Sequence, residues 1–357
     1  MCSRPTGAGG SRRGLPVNRA ATVDIASTEQ LTPTAAQSHD RAVGVGLLYG
    51  IAAYGTWGTL VPLYFKWVYG LFDVGSARAA LELAAHRVLW GLPFILVIVH
   101  MRKRWGEFFA VFRNKRVLGL QGLTTLLISV NWLTFVYGLI TGRLAEVSLG
   151  YFINPLVSIA LGMIFLGERA RPIQWLAIGL AFAGVAAYTI LNGGLPWLAL
   201  VVAFSFGFYG LLRKKSSVDG LIGLSTEMLL LFPICAAYLL WVWVSGTGMA
   251  GDLSIQASAL ILAGPVTVLP LIWFTHAARR LRLSTIGFLQ YMAPTGQLLL
   301  ATLLYAEPFG VARAIGFALI WVALAIYSAE SYLWHRRARA ATRRALLLGE
   351  KRECEPR

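Results

Sequence analysis

The chain has 357 residues, of which 57% are hydrophobic and 13% charged, with a formal net charge of +16. Its mean hydropathy is +0.64. Soluble domains carry about 25% charged residues, so this chain cannot cover itself in polar surface, and neither a soluble globular fold nor a nucleic-acid-binding one fits.

In chain order, residues 1–41 are rich in Ser, Thr, Ala, Gly and Arg without hydrophobic periodicity, and read as a disordered basic tail. Ten apolar runs follow, at 43–63, 79–100, 117–138, 145–167, 173–191, 194–213, 221–244, 256–277, 283–305 and 310–330. Each is about the length that a helix needs to cross a ~30 Å hydrocarbon core. The connections are short and the runs are twice the length of barrel strands, so the expected fold is an all-α integral membrane bundle. No cleavable signal precedes the first run, which is expected to act as an uncleaved insertion signal. Residues 333–357 form a second basic tail.

The charge pattern gives a direction. With the N-terminus inside, inward segments hold 27 Lys and Arg and outward ones only Lys66, Arg78, Arg143 and Arg313. That asymmetry places both termini in the cytoplasm and requires an even number of spans. The basic tails then serve as topology anchors against anionic lipid. Cys2, Cys235 and Cys354 are scattered, without metal or redox spacing.

Residues 131–168 recur in register as 270–307: Phe135 and Phe274, Arg143 and Arg282, Leu144 and Leu283, Pro155 and Pro294, Glu168 and Glu307 share one offset. The repeat divides the chain at Asn192-Gly193-Gly194 into halves 42–192 and 193–332 of five spans each. Five is odd, so the second half is expected upside down, the plan of many secondary transporters.

The run Ser148-Leu149-Gly150-Tyr151-Phe152-Ile153-Asn154-Pro155-Leu156, with Phe165-Leu166-Gly167-Glu168-Arg169, resembles the fourth span of EamA-domain transporters. So do Ser284 to Tyr291 and Ala306-Glu307-Pro308 in the second half. Glu82 to Arg87, Asn131-Trp132-Leu133 and Tyr209 to Lys215 narrow the likeness to the RarD branch, the chloramphenicol-sensitivity proteins of the drug/metabolite transporter superfamily. The resemblance covers about residues 42–332. It implies ten helices in two inverted EamA repeats, permease activity and a link to chloramphenicol.

Charged groups inside a bilayer usually face protein or a water-filled cavity. Glu82, His86 and Arg87 on the second span form either a charged cluster on the solute path or an internal ion pair. Aligning Pro93 with Pro233 sets Arg87 opposite Glu227, so these two are expected to help define alternating gates or a translocation pathway. Asn131, Trp132, Tyr151 and Asn154 lie near mid-bilayer on the third and fourth spans. Asn131 and Tyr151 suit a pocket, whereas Asn154 suits the kink at Pro155. Trp273, Gln290 and Tyr291 are their counterparts in the second half. His276 sits toward the inner mouth, in a gating, coupling or plain structural role. Glu168 and Glu307 stand at helix ends, where they terminate helices.

The expected activity is therefore secondary transport of a small organic metabolite or drug-like solute, with no catalytic residues, cofactor or metal. The partners are the solute and the lipid bilayer, with room for a homo-oligomer and none for nucleic acid. The rival readings are an integral membrane enzyme and an accessory membrane subunit. The scattered His39, His86, His100, His276 and His335 offer the former no metal spacing.

Overall fold

Every polar group of a backbone in lipid must be satisfied within the protein, and the apolar runs meet that demand as helices. The computed structural model describes residues 33–72, 75–167, 171–248, 255–278, 280–281, 285–286, 289–330 and 333. The elements are α1 (Pro33–Gly58), α2 (Leu60–Gly70), α3 (Ser76–Met101), α4 (Trp105–Arg113), α5 (Lys115–Ile140), α6 (Leu144–Leu166), α7 (Pro172–Asn192), α8 (Trp197–Lys215), α9 (Gly220–Val244), α10 (Ile255–Ala278) and α11 (Met292–Leu299). A π-helical turn, Leu300–Leu304, continues α11, and α12 (Val311–Glu330) completes the set. The chain divides into two units, Met1–Ala42 and Val43–Arg357. In the first, the described residues begin α1 at Pro33, inside the stretch expected to lack structure. Glu168, Arg282, Gly287, Phe288 and most of both tails lie outside the described residues.

Among the described residues, eight helices are long and apolar enough to cross a membrane: α3, α5 to α10, and α12. The expected first and ninth spans are the interrupted ones. The first breaks around Thr59, between α1 and α2. There Gly58 touches α11 so closely that a Cβ on it would stand 2.9 Å from Met292 O. The ninth turns at Gln290 and Tyr291 and continues as α11 and its π turn. Single π turns inside helices often mark functional segments.

Helix ends are set locally. The Asn114 side chain accepts from Arg116 N at 3.1 Å and Val117 N at 3.3 Å, opening α5. Asp219 does the same for Leu221 N of α9 at 3.1 Å. Helix α7 starts on Pro172 and stops at Gly193, whose φ of 69° suits glycine. Other ends are closed from a distance. Lys66 Nζ donates to Leu139 O at 3.2 Å at the end of α5. Glu146 Oε1 accepts from Leu198 N at 3.0 Å at the start of α8.

Lipid tails are as apolar as leucine, so helices associate through close packing and interhelical hydrogen bonds rather than by escape from water. Helix α6 packs on α8, α10 on α3, α5 on α8 and α3 on α9. Small residues bring these backbones together: a Cβ on Gly150 would stand 2.4 Å from Ala199 O, and one on Gly264 2.3 Å from Trp90 C. The main core gathers Phe65, Leu83, Leu139, Leu149, Leu198 and Phe317. Large apolar side chains such as Phe182, Ile190 and Leu303 remain more than three-quarters exposed, as a lipid-facing surface requires.

The short helix α4, between the second and third expected spans, was not foreseen from the sequence. It buries Phe108 and Val111 and is held by Arg104, which bridges Glu107 and Asp219.

Candidate functional site

Arg87 lies near the middle of α3 with 6% of its surface exposed. Its Nε donates to Thr267 Oγ1 of α10 at 3.0 Å. The Thr267 hydroxyl spends its own proton on Ala263 O, at 2.7 Å, so its oxygen faces the arginine as an acceptor. The guanidinium carbon stands 5.0 Å from the Phe65 ring centroid on α2 and 4.9 Å from that of Trp132 on α5. Nη1 is buried without a hydrogen-bond partner. Among the described residues the ion pairs belong to other arginines, and none joins Arg87 to a carboxylate.

Magnitudes explain how the charge is tolerated. An arginine at mid-membrane costs roughly 2.5–3.5 kcal/mol on insertion scales, and a desolvated cation–π contact contributes about 2 kcal/mol. Two such contacts and the Thr267 bond offset the cost without an internal carboxylate.

Among the described residues no ion pair joins Glu82 to Arg87 or to His86, the internal pairing weighed for this cluster. Glu82, 1% exposed, instead faces the segment after α9: its Oε2 is 3.5 Å from where a Cβ on Gly248 would stand. His86 is 8% exposed, and its Nδ1 has no hydrogen-bond partner.

Among the described residues no ion pair joins Arg87 to Glu227, which the alignment of the halves sets at equivalent positions. Glu227 is fully buried on α9. It accepts from Tyr209 OH at 3.3 Å, and its Oε1 lies 4.0 Å from Arg213 Nη1. Tyr209 and Arg213 are one turn apart on α8, so a single helix face supplies both partners.

Asn131 and Tyr151 do meet: Tyr151 OH donates to Asn131 Oδ1 at 3.1 Å. Asn131 Nδ2 then donates to Val202 O at 3.1 Å and Ser205 Oγ at 3.2 Å. Both ends of the amide are engaged, and the group ties α5, α6 and α8 together. Asn154 Oδ1 is buried without a hydrogen-bond partner, beside Pro155 inside α6. Tyr291 stacks on Phe152 with centroids 6.4 Å apart. Trp273 and Gln290 are half-buried; among the described residues, no side-chain hydrogen bond joins them to Arg87 or Asn131.

His276 gathers a separate basic cluster. Arg102 Nη2 is 3.1 Å from its Nε2 and Arg280 Nη1 3.3 Å from its Nδ1. Tyr49 of α1 stacks on its ring at 5.0 Å. Among the described residues no three His, Cys, Asp or Glu side chains gather to hold a metal ion.

The EamA-like transporter family profile matches residues 44–190. An uncharacterized transporter of Vibrio cholerae is 43% identical over 83% of this chain and 96% of its own length. Protein RarD of Escherichia coli (strain K12) is 42% identical over 82% of the chain and 96% of its own. The chain belongs to the EamA-like transporter family, in its RarD-type branch. A further relative, the chloramphenicol-sensitive protein RarD of Pseudomonas aeruginosa, is 30% identical over 82% of the chain. Like other members of this transporter family, the chain is a multi-pass membrane protein, with eight helices able to span a bilayer among its described residues.

Within this EamA frame, Phe65, Arg87, Trp132, Asn131 and Tyr151 fall inside the matched segment, while Thr267 and Glu227 lie beyond it. Sequence reasoning passed over Phe65, Thr267, Tyr209 and Glu146 as members of polar groups. A signal existed for Tyr209, four residues before Arg213 on a helix. None existed for Phe65, which is one of 18 phenylalanines.

Proposed function

We propose that this chain is a secondary permease moving a small organic solute across the cytoplasmic membrane, with both termini in the cytoplasm. The observation that carries the reading is the Arg87 group. A buried cation, two rings and a hydroxyl converge from α2, α3 and α5 on one side and α10 on the other. The group therefore draws on both halves of the chain, where an alternating-access carrier holds its solute.

The proposed halves, 42–192 and 193–332, work as inverted five-helix repeats. Helix packing supports this: α3 packs on α9 and α6 on α11, the second span with the seventh and the fourth with the ninth. A five-span offset maps each of those pairs onto itself. In this scheme Glu227 with Arg213, and His276 with Arg102 and Arg280, act as gating groups on the cytoplasmic side of the solute. Asn131, Tyr151, Asn154, Trp273, Gln290 and Tyr291 line or stiffen the path. No catalytic step is assigned to any of them.

Uptake into proteoliposomes tests the reading. Saturable entry that is accelerated by unlabelled solute on the opposite side is the expected result. Entry that rises linearly with concentration and ignores the opposite side, across a broad metabolite panel, sinks it. The name of the Pseudomonas relative favours a second reading, in which the cargo is chloramphenicol-related; labelled chloramphenicol in the same vesicles tests it by the same criterion.

A further inference from the structure

We propose that Arg87 is the anion-binding residue of the solute site, and that the solute is a small organic monocarboxylate with an apolar body. The inference rests on the permease reading and adds the chemistry of its cargo.

Three buried acidic groups of this bundle are met from within. Glu227 has Arg213 and Tyr209. Glu146 has Arg143 at 2.6 Å and the Leu198 amide, and Glu307 has two backbone amides of α6. Arg87 is treated differently. Its charge is held by two rings and one hydroxyl, which stabilise a cation without neutralising it. An internal carboxylate would compete with an anionic ligand for the same donors, whereas rings do not.

The guanidinium carries five N–H donors in a planar fork that matches a carboxylate. Nε is committed to Thr267, and Nη1, buried and unpartnered, is a donor left for a ligand oxygen. One cation offsets one negative charge. Among the described residues no second Lys or Arg touches this group, so a dianionic phosphate would stay half compensated. Phe65 and Trp132 give the apolar body of the ligand its walls.

The test uses the full chain in lipid nanodiscs, titrated with monocarboxylates from acetate to decanoate together with benzoate and phenylacetate. The matching uncharged amides and inorganic phosphate form the control arms. At least one carboxylate should bind saturably, with its amide about tenfold weaker or more and phosphate weaker still. Arg87→Gln should cost the carboxylate about tenfold or more while leaving the amide unchanged, and Arg87→Lys should recover part of the loss.

The proposal is overturned if no carboxylate binds, if amides match the acids, if phosphate binds best, or if R87Q binds like the parent. Should R87Q fail to fold, the acid-against-amide comparison on the unaltered protein still decides. Counterflow of a neutral solute that ignores R87Q would leave the permease reading standing and remove this one. Carboxylate binding without counterflow would do the reverse.

Discussion

The carboxylate of Glu307 closes the start of α6 by accepting from Leu144 N at 2.7 Å, across 163 positions of sequence. Its second oxygen accepts from Ala145 N at 3.0 Å. The first amides of a helix have no partner within it, and a negative charge there also meets the positive end of the helix dipole. The connection between α5 and α6 is thus held at both ends, because Lys66 binds the last carbonyls of α5.

Glu307→Ala leaves two buried amides of α6 unsatisfied. A loss of about 2 kcal/mol in unfolding free energy is expected, read in detergent or nanodiscs by denaturant titration. Parent-like stability of E307A would mean that the cap contributes nothing.

Gly150→Ala should destabilise by about 1–3 kcal/mol, because its Cβ would stand 2.4 Å from the backbone oxygen of Ala199 with no flexible side chain to yield. Gly210→Ala on α8 meets nothing within 4 Å and serves as the control, unchanged or slightly stabilised. Equal effects at the two sites would remove the close-approach argument.

Arg213→Gln and Glu227→Gln should each cost more than half of what the double change costs. Each single variant strands a buried group, and the pair stands 4.0 Å apart. A double-mutant cycle should return a coupling of about 1–3 kcal/mol; simple additivity would show that the contact carries no energy.

The hydrogen bond from Arg104 holds the Glu107 carboxyl below its ordinary value of 4.5. A depressed folded-state value means that the ionised form is favoured by folding. Its contribution is complete above pH 4.5 and fades as the pH falls below that and through the folded value. Amide exchange across α4 should therefore be slower in the parent than in Glu107→Gln at neutral pH, with the two converging in acid. A difference that persists unchanged at low pH would assign the protection to another contact.

Part of the site was legible in the sequence. Asn131 and Tyr151 were expected together and share a hydrogen bond, since both stand at mid-depth on neighbouring spans. Glu307 was expected at a helix end and is found at one, although the helix it caps is the distant α6. Arg87 stood out as an intramembrane cation, whereas the rings and the hydroxyl that hold it did not. Alignment of the two halves set Glu227 at the position equivalent to Arg87, and in the structure Glu227 meets Tyr209 and Arg213 of α8.

The sequence by itself determined the all-helical character and the eight membrane-length helices found among the described residues, because lipid forces every apolar run of about twenty residues to satisfy its backbone internally. It also carried the family likeness in motifs that need no contact map. Only the tertiary structure decided that Phe65, Trp132 and Thr267 surround Arg87, that Arg213 answers Glu227, and that the first span breaks against α11. In a soluble helix the buried face announces itself by polarity. In a bilayer the lipid-facing and protein-facing sides are both apolar, so the rotation of each helix, and with it every interhelical partner, is fixed by packing alone.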